Sequence, residues 1–123
     1  LEYDPEQEGR PLRWTKMQAI TNFYGCYAYL VEPNQKNGIY GHGKERYNAI
    51  MDVLAIRDLD GNIPADTAWR ALQAAAQEPN PVDVTSNTQW SLVYDDTALT
   101  AQIVIRRKWD DVLHYDLNTN TMS

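Results

Sequence analysis

One cysteine and two histidines limit the nucleophilic and metal chemistry open to this chain. Cys26 and His42 would make an activated thiolate if a turn brought them together, because an imidazole beside a thiol takes its proton. The setting of Cys26, between Gly25 and Tyr27 in a stretch that reads as a strand, points instead to a buried and inert thiol. His114 alternates with Leu113 and Tyr115, so it falls on the wetter side of its strand and suits a surface role. No paired zinc-ligand spacing exists among so few ligands, and no metal site is expected.

Two loops imitate ligand motifs without completing them. Asp58-Leu59-Asp60-Gly61-Asn62 begins like a calcium loop, but its glycine comes two positions early and Trp69 stands where a bidentate glutamate belongs. A turn between helices is the expectation. Gly38-Ile39-Tyr40-Gly41-His42-Gly43 places glycines ahead of a helix, yet it lacks the lysine and hydroxyl of a phosphate loop and the spacing of a dinucleotide fingerprint. It reads as a permissive backbone turn, and no cofactor is implied.

The elements that must position these residues follow from hydrophobic periodicity. Tyr47, Ile50, Met51 and Leu54 share one face at i, i+3, i+4 and i+7, which predicts a helix over about Lys44 to Arg57. A second helix is predicted from Ala68, Leu72, Ala75 and Ala76, with Pro64 at its first position, Asp66 in its first turn, and Pro79 and Pro81 closing it. In the last third, Trp90, Leu92 and Tyr94 alternate with Gln89, Ser91 and Val93. Leu99, Ala101, Ile103 and Ile105 alternate likewise, and Leu113, Tyr115 and Leu117 share a face of a third strand. Residues 95–98 and 108–111 are hairpin-length loops. Trp14–Asn22 and Tyr27–Val31 are expected as two further strands, and residues 1–13, rich in proline and glutamate, as a loose leader. The sum is an α+β chain of two helices and about five mostly antiparallel strands, with no need of a second domain over residues 1–123.

Charge narrows the partners. A formal net charge of -6 argues against nucleic acid, and the densest basic run, Arg106-Arg107-Lys108, reads as a solvated strand end. No stretch approaches the about 18 apolar residues of a membrane span, and the acidic start lacks the order of a signal peptide. A lone thiol gives no sign of an oxidising compartment, so a cytoplasmic location is the expectation.

Several modest motifs, in order, resemble the later half of one enzyme family. They are Ala19-Ile20-Thr21-Asn22, Gly43-Lys44-Glu45-Arg46-Tyr47, Thr88-Gln89-Trp90-Ser91-Leu92-Val93-Tyr94-Asp95, and Leu99-Thr100-Ala101-Gln102-Ile103-Val104-Ile105-Arg106-Arg107. From about Met17 to Leu117 the chain resembles the linear amide C–N hydrolases, the choloylglycine hydrolase and penicillin V acylase relatives of the N-terminal-nucleophile hydrolases. The resemblance implies part of a four-layer αββα sandwich. It also implies hydrolysis of a linear amide of bile-salt, penicillin V or N-acyl amino acid type, by an N-terminal cysteine whose α-amino group is the base.

Asn22 matches the family's late asparagine, whose side-chain amide helps hold the oxyanion; otherwise it ends a strand and starts a turn. Arg46, followed by the aromatic Tyr47, matches an arginine close to the nucleophile that favours the thiolate; otherwise it is an exposed residue of a first helical turn. Family members often carry serine where Glu45 stands here, and Glu45 could pair with Arg46 or Lys44. Because the chain starts at Leu1, the cysteine is expected in a missing N-terminal half, and catalysis by this chain alone is not expected. Its expected partners are that half, a small amide substrate and a second copy, since half a sandwich bares an apolar face. The competing reading is a stand-alone, non-catalytic α+β interaction domain that uses its four Trp and eight Tyr as contact surface.

Overall fold

The structure, a computed structural model, describes residues 1–123. The fold class is α+β, with three short helices and two antiparallel sheets of two and four strands. Its contacts gather into two compact units, Leu1–Pro64 and Ala65–Ser123, where length alone did not ask for two.

In the first unit, β1 (Glu2–Tyr3) pairs antiparallel with β2 (Leu12–Arg13). Gly9 and Arg10, both left-handed at φ 76° and 45°, reverse the chain between them. Residues 1–13 are therefore an ordered hairpin and not a loose leader. Their polar composition is misleading because Asp4 is only 1% exposed, its carboxylate held by Arg13 at 2.6 Å and by the Tyr27 hydroxyl at 2.8 Å.

The expected strand at Tyr27–Val31 is also corrected: residues Gly25–Leu30 form a 3-10 helix. The cause is a long-range contact. The Glu2 carboxylate accepts the N–H groups of Gly25 at 2.9 Å and Cys26 at 2.8 Å, the donors that a helical turn leaves free at its start. Within the turn Tyr27 departs from helical geometry, and its ring stacks on Tyr40 at 4.7 Å. Trp14–Asn22 joins no strand either; its neighbour Phe23 makes only a single bridge to Gly41.

Helix α1 (Lys44–Leu54) starts where predicted, after left-handed Gly43, and carries Glu45 in its first turn, where a carboxylate suits the helix dipole. It stops a turn short of Arg57. The Arg57 guanidinium donates to the carbonyls of Leu54 and Ile56, so the side chain expected inside the helix caps it instead. Tyr47, Ile50, Met51 and Leu54 are all half-buried, as their spacing requires. Tyr47 packs edge-on against buried Phe23 at 5.4 Å. The loop after the helix is an Asx turn, with Asp58 Oδ1 accepting from the N–H groups of Asp60 and Asn62.

In the second unit, α2 (Thr67–Ala75) is followed by β3 (Trp90–Asp95), β4 (Thr100–Ile105), β5 (Val112–Asp116) and β6 (Thr121–Met122) in simple sequence order. Pro64 lies three residues ahead of α2 and not at its first position, since Asp66 is the N-cap. The register places Leu92, Ile103 and Leu113 side by side, flanked by the row Tyr94, Ala101, Tyr115 and Met122. Ser91, Val104 and Val112 line the other face beside Val93, Gln102 and His114.

α2 serves that second face. The Trp69 indole N–H donates to Gln102 Oε1 at 2.6 Å, and Ser91 and Val104 are 6% and 1% exposed. The more apolar face is open along its margins, with Trp90 62% and Tyr94 64% exposed and Ile105 and Met122 near half, while Leu92, Ile103 and Leu113 are half-buried and Ala101 is buried. Arg106 and Arg107, at φ 48° and 62°, open the loop 106–111 from β4 to β5 with a tight turn, closed by the Lys108 N–H on the Ile105 carbonyl at 3.1 Å. Two successive left-handed residues match the twist of a hairpin. Arg107, expected as part of a solvated run, is instead tied to Glu78 at 3.0 Å, to Asn87 and to the Thr88 carbonyl.

Candidate functional site

Asn22 and Arg46, 24 residues apart in sequence, meet in the first unit: the Arg46 Nη2 donates to Asn22 Oδ1 at 2.7 Å. Three local features bring them together. The His42 N–H donates to the Asn22 carbonyl at 2.8 Å, and the Tyr24 N–H to the Tyr40 carbonyl at 2.9 Å, so residues 22–24 and 40–42 run side by side. Gly41 makes this approach possible, because a Cβ there would lie 2.1 Å from the Asn22 carbonyl oxygen and 2.4 Å from Phe23 Cα. The Thr21 hydroxyl then donates to the Gly43 carbonyl at 2.9 Å, fixing the segment before Asn22 to the N-cap of α1. Arg46 lies in the first turn of that helix.

The chemistry of the pair is set by donor count. A guanidinium carries five N–H donors and no acceptor, so the atom of Asn22 that faces it is the carbonyl oxygen. The Asn22 Nδ2 is thereby left as a donor, on an exposed residue. Arg46 Nε is buried and has no acceptor, which makes it the one unsatisfied buried side-chain donor of the molecule.

The other sequence candidates disperse. Cys26 is half-buried in the 3-10 helix, and no hydrogen bond joins it to exposed His42. Burial pushes its thiol pKa up, and the Glu2 carboxylate beside it pushes the same way, so the thiolate is disfavoured. His114 is exposed in β5, as its alternation predicts. No group of three or more His, Cys, Asp or Glu side chains is arranged to hold a metal. A cleft of about 220 Å³ is lined by Leu1, Glu2, Thr15, Met17, Ala19 and Ile20, and neither Asn22 nor Arg46 reaches it.

Sequence reasoning missed the polar network of the hairpin. Burial alone would raise the Asp4 carboxyl, but the Tyr27 hydroxyl, the Glu6 N–H and the Arg13 guanidinium hold it below its usual value. Donating to that carboxylate, and being buried beside it, pushes the Tyr27 hydroxyl up to about 12. Burial likewise opposes a net lowering of Glu2, produced by the N–H groups of Cys26 and Gly25 and the Thr15 hydroxyl. The Tyr27 contact to Asp4 and those of Thr15, Gly25 and Cys26 to Glu2 each span more than ten residues, and no local pattern announces them.

No helix is long and apolar enough to cross a membrane. No protein-family model, curated protein or solved structure matches the chain.

Proposed function

We propose that the chain is the C-terminal part of a cysteine N-terminal-nucleophile hydrolase that cleaves linear amide C–N bonds, with Asn22 donating to the oxyanion. The observation that carries this reading is the Arg46 to Asn22 hydrogen bond, which leaves a neutral N–H donor free on Asn22. An N–H of this kind stabilises charge that develops on a carbonyl oxygen without adding a charge to the ground state. The cysteine thiolate of the upstream half attacks the carbonyl, the α-amino group takes the thiol proton, and the tetrahedral oxyanion receives the Asn22 Nδ2–H. Substrates of bile-salt, penicillin V or N-acyl amino acid type fit this chemistry equally.

The open sheet face supports the same reading. We assign the Trp90, Leu92, Ile103 and Leu113 face to the upstream half, or to a second copy where that half is lacking.

The test begins with the intact mass of a denatured sample and the N-terminal sequence of every chain present. In a complete polypeptide with its cysteine, Asn22→Ala lowers kcat about 100-fold; an unchanged kcat returns Asn22 to a structural role. The same exposed Trp90 and Tyr94 favour a second reading, a non-catalytic interaction domain. A stable monomer at micromolar concentration, together with an inert Asn22 substitution, selects that reading over the hydrolase.

A further inference from the structure

The resemblance puts Arg46 beside a cysteine, but its observed contact is with Asn22, and the surrounding backbone is shaped for that contact. We infer that Arg46 is a positioning residue that acts through Asn22: its guanidinium pins Oδ1, so that Nδ2 is held outward as a fixed donor. Gly43 is what lets it do so. A Cβ built on Gly43 would lie 2.3 Å from Arg46 Nη2, 3.0 Å from Cζ and 3.4 Å from Nε, so the guanidinium folds back over the bare Cα of the helix N-cap. The φ of 82° at Gly43 adds a second reason for glycine at this position.

An amide on an exposed residue rotates among rotamers, and it can present either its oxygen or its nitrogen to a ligand. A donor that must wait for the correct orientation gives up most of its advantage, because the value of such a group lies in preorganisation. The guanidinium removes both freedoms. It offers no acceptor, so the flipped amide would set N–H against N–H. It is also anchored, because it springs from the first turn of α1, whose start is tied down by Lys44 Nζ on the Ala28 carbonyl at 2.7 Å and by the Glu45 N–H on the Pro33 carbonyl at 3.1 Å. The buried, unsatisfied Arg46 Nε shows the cost that this placement carries. Gly43, Arg46 and Asn22 thus form a chain of command in which the glycine makes room, the guanidinium fixes the oxygen and the amide nitrogen faces out.

This inference deepens the hydrolase reading by assigning how its oxyanion donor is set, but its test needs no catalysis. The side-chain order parameter of the Asn22 Nδ2H2 group is measured by 15N relaxation on the 123-residue chain. The expected value is about 0.8, near that of rigid backbone, falling below about 0.6 in Arg46→Met, which keeps the aliphatic stem and removes the donors. Gly43→Ala, which displaces the guanidinium and leaves it intact, gives the same fall. A wild-type value already below about 0.6 overturns the inference without any variant. So does a rigid Asn22 amide that stays rigid in whichever of the two variants keeps the wild-type backbone spectrum. An inert Asn22→Ala in a complete enzyme, by contrast, would sink the hydrolase reading and leave the measured rigidity as it is.

Discussion

The two units are held by different kinds of order. Leu1–Pro64 has one two-residue ladder, yet side chains distant in sequence fasten it: Glu2 on Gly25 and Cys26, Asp4 on Arg13 and Tyr27, and Arg46 on Asn22. Ala65–Ser123 rests first on backbone ladders, a four-stranded antiparallel meander, to which side-chain ties such as Trp69 on Gln102 and Arg107 on Glu78, Asn87 and Thr88 are added. In the first unit a change at one residue should be felt far along the chain, whereas in the second it should stay on one sheet face. Specific side-chain networks fix single groups in place, whereas repeated ladders fix a surface.

Substitutions can break that contrast, and the largest effect is expected at Gly41. With a φ of 114° and the Asn22 carbonyl in the way, Gly41→Val should cost about 3 kcal/mol or more. Urea unfolding followed by residue-resolved NMR should show losses confined to residues 1–64, and an equal loss among the β3–β6 signals would erase the distinction between units. Next comes Val104→Ala, which hollows the covered sheet face beside α2 and should cost about 2 kcal/mol. Here the midpoint for β3–β6 should fall while Cys26 and Tyr27 keep their chemical shifts.

Acid sharpens the comparison without any substitution. Asp4 and Glu2 have lowered folded pKa values, so the stability they contribute is present above their unfolded values of 3.8 and 4.5 and is lost as pH falls through the lower folded values. Titrating from pH 6 to 2 should loosen the β1–β2 hairpin and the Gly25–Leu30 turn together. If these signals move independently, the network is not one unit. The smallest effect is expected at Tyr94→Ser on the open face, within about 0.5 kcal/mol in the monomer because the ring is already exposed. Its consequence should appear in association measured by light scattering, and a stability loss of 2 kcal/mol would mean that the face is covered after all.

The same contrast decides what could be read from the sequence. α1, α2 and the three long strands lie within a few residues of their predicted positions, because period 3.6 and period 2 are local signals. β6, only two residues long, is too short to leave a periodic signal. Alternation placed Trp90, Leu92 and Tyr94 together on one face, but it could not say which face α2 would cover. The Trp69 to Gln102 bond settles this in favour of the more polar side.

Failures concentrate in the first unit. Tyr27–Val31 has strand-like composition and is overruled by a carboxylate at position 2, and the prolines and glutamates of residues 1–13 conceal a buried Asp4. In the sequence only the family resemblance links Asn22 with Arg46. What joins them is a glycine whose missing side chain leaves room, and an absent atom leaves no periodic trace.

The Trp69 indole has one further consequence. It is half-buried, hydrogen-bonded to Gln102 and edge-on to Trp109 at 6.2 Å, while Trp14 and Trp90 stand 85% and 62% exposed. A soluble quencher such as acrylamide will therefore extinguish the emission of Trp14 and Trp90 first. The light that remains comes from residues 69 and 109, so the second unit carries its own optical reporter, through which its unfolding can be followed in dilute solution without a label.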